Sequence, residues 1–275
     1  FTTRQGLPDD RVNAIAQDHT GALWIGTDGG GLIRFEEPRF KHYTSRQGLP
    51  DDEVNAVHVD RDGVLWVGTN GGLARFTRDG FTRFTRREGL PHDLVHALHE
   101  DRDGGLWVAT AGGLCRMRDG RFEALTSRNG LPNDNILSLF EDSDGSLWFG
   151  SAAGGLARLR DGAASTFGIP EGLSYDITSV ILEDRLGTLW IGTYGGGLNR
   201  LRDGRFTSFT TRDGLPDDAI TALLEDRRGT LWVGTRRGLC RLEGGAFRVI
   251  GAGAAQLAGP LVDDTHHQSQ RARIA

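Results

Sequence analysis

A single phrase, Leu-Trp-x-Gly/Ala-Thr/Ser, occurs six times and holds every tryptophan of the chain: Trp24, Trp66, Trp107, Trp148, Trp190 and Trp232. Successive copies stand 41 or 42 residues apart. That period is far too long for a coiled-coil heptad and fits one four-stranded propeller blade. The expected fold class is therefore all-β, a β-propeller of four-stranded antiparallel blades with six repeats visible. A residue present in every copy serves the blade first, so specific chemistry belongs where the copies differ.

The second copy shows how one repeat reads. Val54 to Val59 is a short, largely apolar run with weak alternation, as for an innermost strand flanked by sheets on both faces. Asp60-Arg61-Asp62-Gly63 supplies a tight turn, and Leu65 to Thr69 is a second strand carrying the tryptophan. Gly71-Gly72 breaks the run; Leu73 to Phe76 and Phe81 to Thr85 read as third and outer strands around Arg78-Asp79-Gly80. Four strands in one period leave no room for a helix. Residues 1–250 read as the propeller and 251–275 as a non-repeating C-terminal segment, where Gly259 to Asp264 faintly echoes a repeat opening but no Leu-Trp follows.

Charge narrows the partners. The net charge is −5 with both signs interspersed, and no basic stripe with interleaved aromatics appears, which argues against nucleic acid. No run approaches the roughly 20 apolar residues of a membrane helix, so no membrane contact is expected from this segment itself. Cys115 and Cys240 occupy the same repeat position three copies apart, too distant for a disulfide, and read as small buried hydrophobes.

Some polar positions are constant. One aspartate closes the inner strand (Asp18, Asp60, Asp101, Asp142, Asp184, Asp226), another opens it (Asp10, Asp52, Asp93, Asp134, Asp176, Asp218), and an arginine recurs in the third strand (Arg34, Arg75, Arg116, Arg158, Arg200, Arg241). The expectation is structural: aspartates accepting backbone N–H groups in Asx-type turns, and arginines pairing with carboxylates or carbonyls between blades.

From Gly6 to Phe35 the chain spells Gly-Leu-Pro-x-Asp-x-Val-x-x-Ile-x-x-Asp-x-x-Gly-x-Leu-Trp-Ile-Gly-Thr-x-Gly-Gly-Gly-Leu-x-Arg-Phe. This closely resembles the two-component regulator propeller repeat, over roughly residues 1 to 250. The fourth copy departs at Ser151-Ala152-Ala153-Gly154, and the fifth has Gly172-Leu173-Ser174 where the others have Gly-Leu-Pro. The resemblance implies a sensor module, the periplasmic or extracytoplasmic part of a bacterial membrane receptor whose output domain is a histidine kinase or diguanylate cyclase. Its implied partners are a small-molecule or carbohydrate ligand and an output domain of the same polypeptide, with a homodimer also open and no cofactor. The chain shows no kinase His-box, ATP-binding glycine motif or Gly-Gly-Asp-Glu-Phe signature of its own. The family commonly builds seven-bladed rings. Here six blades closing on themselves is favoured, with Phe1-Thr2-Thr3 completing an outer strand, and a place in a larger ring is the alternative. Phe1 to Gly6 mirrors Phe209 to Gly214, as in a piece cut from a longer protein or a processed one.

Ligand specificity is expected on one rim, from two loops that vary between copies. Reading equivalent positions there selects Arg11, Asn13, Asp28, Asn55, Asn70, His92, His96, Tyr175, Tyr194, Arg236 and Arg237. Such residues provide planar hydrogen bonding and sugar stacking. Two other classes stay open. One is a lyase or hydrolase resembling the streptogramin lyases, with His92 or His96 as acid or base; the other is a protein-interaction or dimerisation scaffold. Metal binding is not expected: His96 and His99 sit three apart on a strand and face opposite sides, and the Asp-x-Asp-Gly turns lack the other ligands of a calcium loop. His266-His267 falls in the Arg/Gln-rich end and carries no assignment.

Overall fold

The computed structural model describes residues 2–77 and 80–251. The segment beyond residue 251, with its faint repeat echo and His266-His267, and the turn residues Arg78 and Asp79 lie outside them.

Each repeat folds into one antiparallel meander whose four strands follow chain order from inside to outside. In the first blade these are Val12–Gln17, Leu23–Thr27, Leu32–Glu36 and Arg39–Tyr43. The five later inner strands are Val54–Val59, Val95–Glu100, Ile136–Glu141, Thr178–Glu183 and Ile220–Glu225. Burial declines outwards: Leu65–Thr69 is buried along its whole length, whereas Ala163–Phe167, an outer strand, is almost wholly exposed. The two outer strands accordingly differ from the apolar inner pair in composition, which is how the repeat pattern tells inside from outside.

The core lies in the seams. The Gly at the fourth residue of the second strand lets the next blade press in: a Cβ on Gly26 would stand 2.5 Å from Val54 Cγ1, one on Gly68 2.6 Å from Val95 Cγ1, and one on Gly192 2.7 Å from Ile220 Cγ2. Val54, Val95, Ile136 and Ile220 are all fully buried there. Trp24 packs across its seam on Phe76, ring centroids 5.4 Å apart, so inter-blade packing of the tryptophans is seen directly.

Between the outer strand of one blade and the inner strand of the next, short 3-10 turns appear at Thr3–Gln5, Ser45–Gln47, Ser127–Asn129, Ile169–Glu171 and Thr211–Asp213. Each ends on a glycine with positive φ, such as Gly48 at 110°, which only glycine adopts at low cost. Here the aspartate that opens the inner strand, in five of the six blades, does something other than an Asx turn. Asp52 reaches back seven residues to accept the Ser45 N–H at 2.5 Å, and Asp134 and Asp218 do the same for Ser127 and Thr211. The Asx-type bond belongs to the residue before it, as when Asp51 accepts the Glu53 N–H at 2.8 Å.

The strand-exchange closure is not what forms. The sixth blade's outer strand is its own Ala246–Ile250, and Thr3–Gln5 is a 3-10 turn rather than strand. Five seams are packed alike, and no comparable packing joins the inner strand Ile220–Glu225 to Val12–Gln17 among the described residues.

Candidate functional site

The two ends of every blade are built differently. At one end the constant aspartate spends both oxygens. Asp142 Oδ1 accepts the N–H groups of Asp144 (3.0 Å) and Ser146 (2.8 Å), while Oδ2 accepts the Trp148 indole N–H at 2.7 Å. The same indole bond closes the other five turns, from Asp18–Trp24 to Asp226–Trp232 at 2.9 Å. The constant arginine stacks within its own blade over this tryptophan, Arg158 Cζ lying 5.5 Å from the Trp148 ring centroid. Arg200 is the departure, over Phe209 instead. The between-blade pairing expected of these arginines is made by others. Arg61 and Arg185, in the turns, bridge to Glu100 (2.7 Å) and Glu225 (2.8 Å) of the following blade. The reason is reach: a third-strand arginine sits over its own indole, whereas the turn projects across the seam.

At the opposite end, the two variable loops meet in every blade. The backbone N–H after the second strand donates to a carbonyl of the incoming loop, from Asp28 to Arg11 (3.0 Å) round to Arg236 to Ala219 (3.1 Å). The expected shared rim is thus present. A β-bulge sits in each inner strand just inside it, at Asn13, Asn55, His96, Leu137, Ser179 and Thr221. Bulges re-aim a side chain, and here they aim it at the neighbouring blade. Asn13 Nδ2 donates to the Val54 carbonyl (3.1 Å), Asn55 Nδ2 to that of Val95 (3.0 Å), and Ser179 Oγ to that of Ile220 (2.7 Å). His96 Nε2 meets Asn135 Oδ1 at 3.1 Å, and burial holds the imidazole below its ordinary 6.5. Part of the hydrogen-bonding capacity of Asn13, Asn55 and His96 is therefore taken by the seams.

The remaining candidates fall into three groups. Over the first two blades, Arg11 pairs with Asp28, Asp28 shares a hydrogen bond with Glu53, Asn70 donates to Glu53, and Asn55 donates to Asn70 Oδ1 at 2.8 Å. The bond to Asp28 holds the Glu53 carboxyl above its ordinary 4.5. Glu53 is the hub of this chain and was not among the selected residues. Its signal was that its equivalents are Arg11, Leu94, Asn135, Ile177 and Ala219, none a carboxylate. Over the third and fourth blades His92 turns inward on its own loop, Nδ1 accepting the Leu94 N–H at 3.0 Å, the bond that Asp51 and Asn133 make in their blades.

The third group, over the fifth and sixth blades, is the exposed one. Tyr175 and Tyr194 are 40% and 39% exposed, the two tyrosines that stand out among the large solvent-facing side chains. Arg236 Cζ lies 4.2 Å from the Tyr194 ring centroid, and a Cβ on Gly195 would stand 3.6 Å from the Tyr175 ring. Arg237, 80% exposed, pairs with Asp217 at 3.1 Å. Two phenol faces and two guanidiniums on a rigid rim can stack on a ring and donate paired hydrogen bonds to an acceptor. Among the described residues no group of three or more His, Cys, Asp or Glu side chains is placed to hold a metal ion. Cys115 and Cys240 are free and buried, and burial pushes both thiols up to about 12, which removes them from nucleophilic chemistry near neutrality.

A family model described as "Two component regulator propeller" matches residues 6–29, 48–71, 89–112, 130–153, 172–195 and 214–237. The chain belongs to this family. The matched segments run from the incoming loop through the tryptophan strand to the rim, the part of the blade whose constancy the geometry explains. No curated protein matches the sequence. Among solved structures, the extracellular domain of a hybrid two component system from B. thetaiotaomicron superposes with a TM-score of 0.81 at 25% identity. The match covers 92% of this chain and 36% of that one, so the chain spans about a third of it. Virginiamycin B lyase from Staphylococcus aureus gives a TM-score of 0.75 at 19% identity over 92% of this chain and 89% of the lyase. A gluconolactonase from Xanthomonas campestris gives 0.56 at 17%, covering 86% of each chain. The last two establish the fold alone. The propeller is thus related to extracellular domains of two-component sensors. No helix among its described residues is long and apolar enough to cross a membrane.

Proposed function

We propose that this propeller is the ligand-sensing module of a bacterial signal-transduction receptor, held outside the cytoplasm, and that it is not itself catalytic. It takes a small molecule or glycan fragment on the variable rim and passes the event to an output domain of the same polypeptide. The observation that carries this reading is the Tyr175, Tyr194 and Arg236 platform: exposed aromatic and cationic groups, in loops that differ from every other copy, on an end whose frame is fixed by repeated backbone bonds. The kinship with extracellular sensor domains supports it. A thermal-shift panel of neutral and acidic saccharides tests it. A binder at a hundredfold excess over its Kd stabilises by about 2.7 kcal/mol, a readily measured rise in melting temperature. The rise should vanish in Tyr194→Ala. A rise that Tyr194→Ala leaves untouched would remove the platform from the account.

The lyase reading would need His92 or His96 presented to a substrate. His92 Nδ1 is engaged by its own loop and His96 by Asn135 across a seam, an arrangement that supports a structural role for both. Turnover of a streptogramin or lactone that disappears with His96→Ala would reverse the non-catalytic assignment.

A further inference from the structure

We infer that Asn199, a fully buried asparagine in the third strand of the fifth blade, is a positioning residue for the rim site, holding the loop that carries Tyr175 from the blade interior. Its equivalents are Ile33, Ala74, Cys115, Ala157 and Cys240, all fully buried and none able to make a strong hydrogen bond. An amide in that place has to find its partners within the protein. Both of its ends go to one residue: Oδ1 accepts the Ser174 backbone N–H at 3.0 Å, and Nδ2 donates to Ser174 Oγ at 2.8 Å. The pairing also fixes which end is oxygen, because a backbone N–H can only donate.

Ser174 precedes Tyr175 and stands where the other five blades carry Pro8, Pro50, Pro91, Pro132 and Pro216. Two local restraints hold those five loops. The proline ring fixes φ and leaves no N–H to satisfy. The next side chain then accepts the N–H two residues on, from Asp9, Asp51, His92, Asn133 and Asp217 at 2.7–3.0 Å. The fifth loop has neither restraint. Serine frees φ and adds an N–H, and a tyrosine has no acceptor at so short a reach. The paired bonds to Asn199 supply from inside the blade what the loop lacks locally.

The exchange leaves Tyr175 available. In the other five blades the side chain after the proline is tied to its own loop, whereas Tyr175 is 40% exposed, with its ring beside Gly195. Gly196 closes the other side of the loop, since a Cβ there would stand 2.6 Å from both Ser174 Oγ and Tyr175 Cβ. The loop is held between a buried amide and a bare backbone, so its phenol is presented on a fixed base. That placement follows from these contacts; its consequence for binding rests on the rim being the ligand site.

The chain holds three tyrosines, Tyr43, Tyr175 and Tyr194, so uniform labelling with fluorotyrosine gives one fluorine NMR signal for each, assigned with Tyr175→Phe and Tyr194→Phe. Asn199→Ala strands the Ser174 N–H and hydroxyl. It should lower the melting temperature by at least about 3 °C and shift or broaden the Tyr175 signal, with Tyr43 unmoved. Asp101→Ala, which loosens the turn of the third blade, is the control: the melting temperature falls and the Tyr175 signal stays. Ser174→Pro with Asn199→Ala installs the Pro132 and Ala157 pair of the fourth blade and should recover at least about half of the lost melting temperature, with the Tyr175 signal returning toward the parent's. Ser174→Pro alone leaves the buried amide unpartnered and should recover neither. A Tyr175 signal unmoved by Asn199→Ala, or moved as much by Asp101→Ala, would overturn the positioning role. A saccharide that raises the parent's melting temperature should bind Asn199→Ala at least about threefold more weakly. If no saccharide of the panel binds the parent, the sensing reading fails, while the hold on Tyr175 is decided by the fluorine signals.

Discussion

The tryptophan end and the variable rim of the same blades differ in how their polar groups are used. At the tryptophan end each aspartate satisfies two backbone N–H groups and an indole, and the arginine above is stacked on the ring. At the rim, the backbone frame is closed in the same way six times, but the side chains above it form three dissimilar groups. Constancy of the turn aspartates therefore follows internal saturation. The aspartate copied six times has its partners within its own blade, whereas the varying rim includes exposed groups, Tyr175, Tyr194 and Arg237, with capacity left for something outside.

The largest way to break this contrast is at the tryptophan. Trp148→Ala removes a buried indole together with its bond to Asp142 and should cost about 3–5 kcal/mol, read by chemical denaturation, with the rim affected only through unfolding. Next in size is Asp101→Ala, which strands the Trp107 indole and the Asp103 and Gly105 N–H groups; a loss of about 2–3 kcal/mol is expected. Both substitutions on a rim residue of similar chemistry should do far less. Arg236→Ala or Tyr194→Ala should stay within about 0.5 kcal/mol of the parent, while abolishing any ligand-induced shift.

Acid sharpens the contrast because the two ends respond with opposite sign. At the turn, burial pushes the Asp18 carboxyl up, but bonds from Thr20, Trp24 and Ala22 outweigh it and hold the group below its ordinary 3.8. Its contribution is complete above that value and is lost as pH falls through the lower folded one. At the rim, Glu53 is held above 4.5 by Asp28, so its contribution is complete below the ordinary value and fades as pH rises through the folded one. Carboxyl titrations by NMR should show Glu53 gaining its proton before Asp18 and Asp226 do. Glu53→Gln should keep the bond to Asp28 and flatten the rim's pH response, the smallest effect of the series.

Much of this was legible in the sequence, and the limits have identifiable causes. The tryptophan period and the Gly-Leu-Pro opening carried the blade count, and the second copy's inner and tryptophan strands ran where the pattern put them, Val54–Val59 and Leu65–Thr69. Local patterns read well because each strand depends on its own repeat. The roles of the constant aspartates and arginines were harder. Asp52 bonds a residue seven earlier and Arg61 one in the next blade, and neither reach leaves a periodic mark of its own. The bulges were invisible for the same reason: Asn13, Asn55 and His96 look like variable rim residues, yet the extra residue in the strand turns each of them into the seam. Glu53 was overlooked because a single carboxylate gains its significance only from Asp28 on the preceding blade.

The central claim is that the external ligand meets the variable rim over the fifth and sixth blades, while the constant end only holds the blade. It is tested most directly by titrating a saccharide that shifts the melting temperature into the parent, Tyr194→Ala and Arg61→Ala, and measuring each Kd by calorimetry. The account predicts that Tyr194→Ala weakens binding by at least about tenfold, with its own melting temperature unchanged. Arg61→Ala should lower the melting temperature through the lost bond to Glu100 and leave the Kd as it was. Unchanged affinity in Tyr194→Ala, or affinity lost in Arg61→Ala at a temperature where it is fully folded, would contradict it.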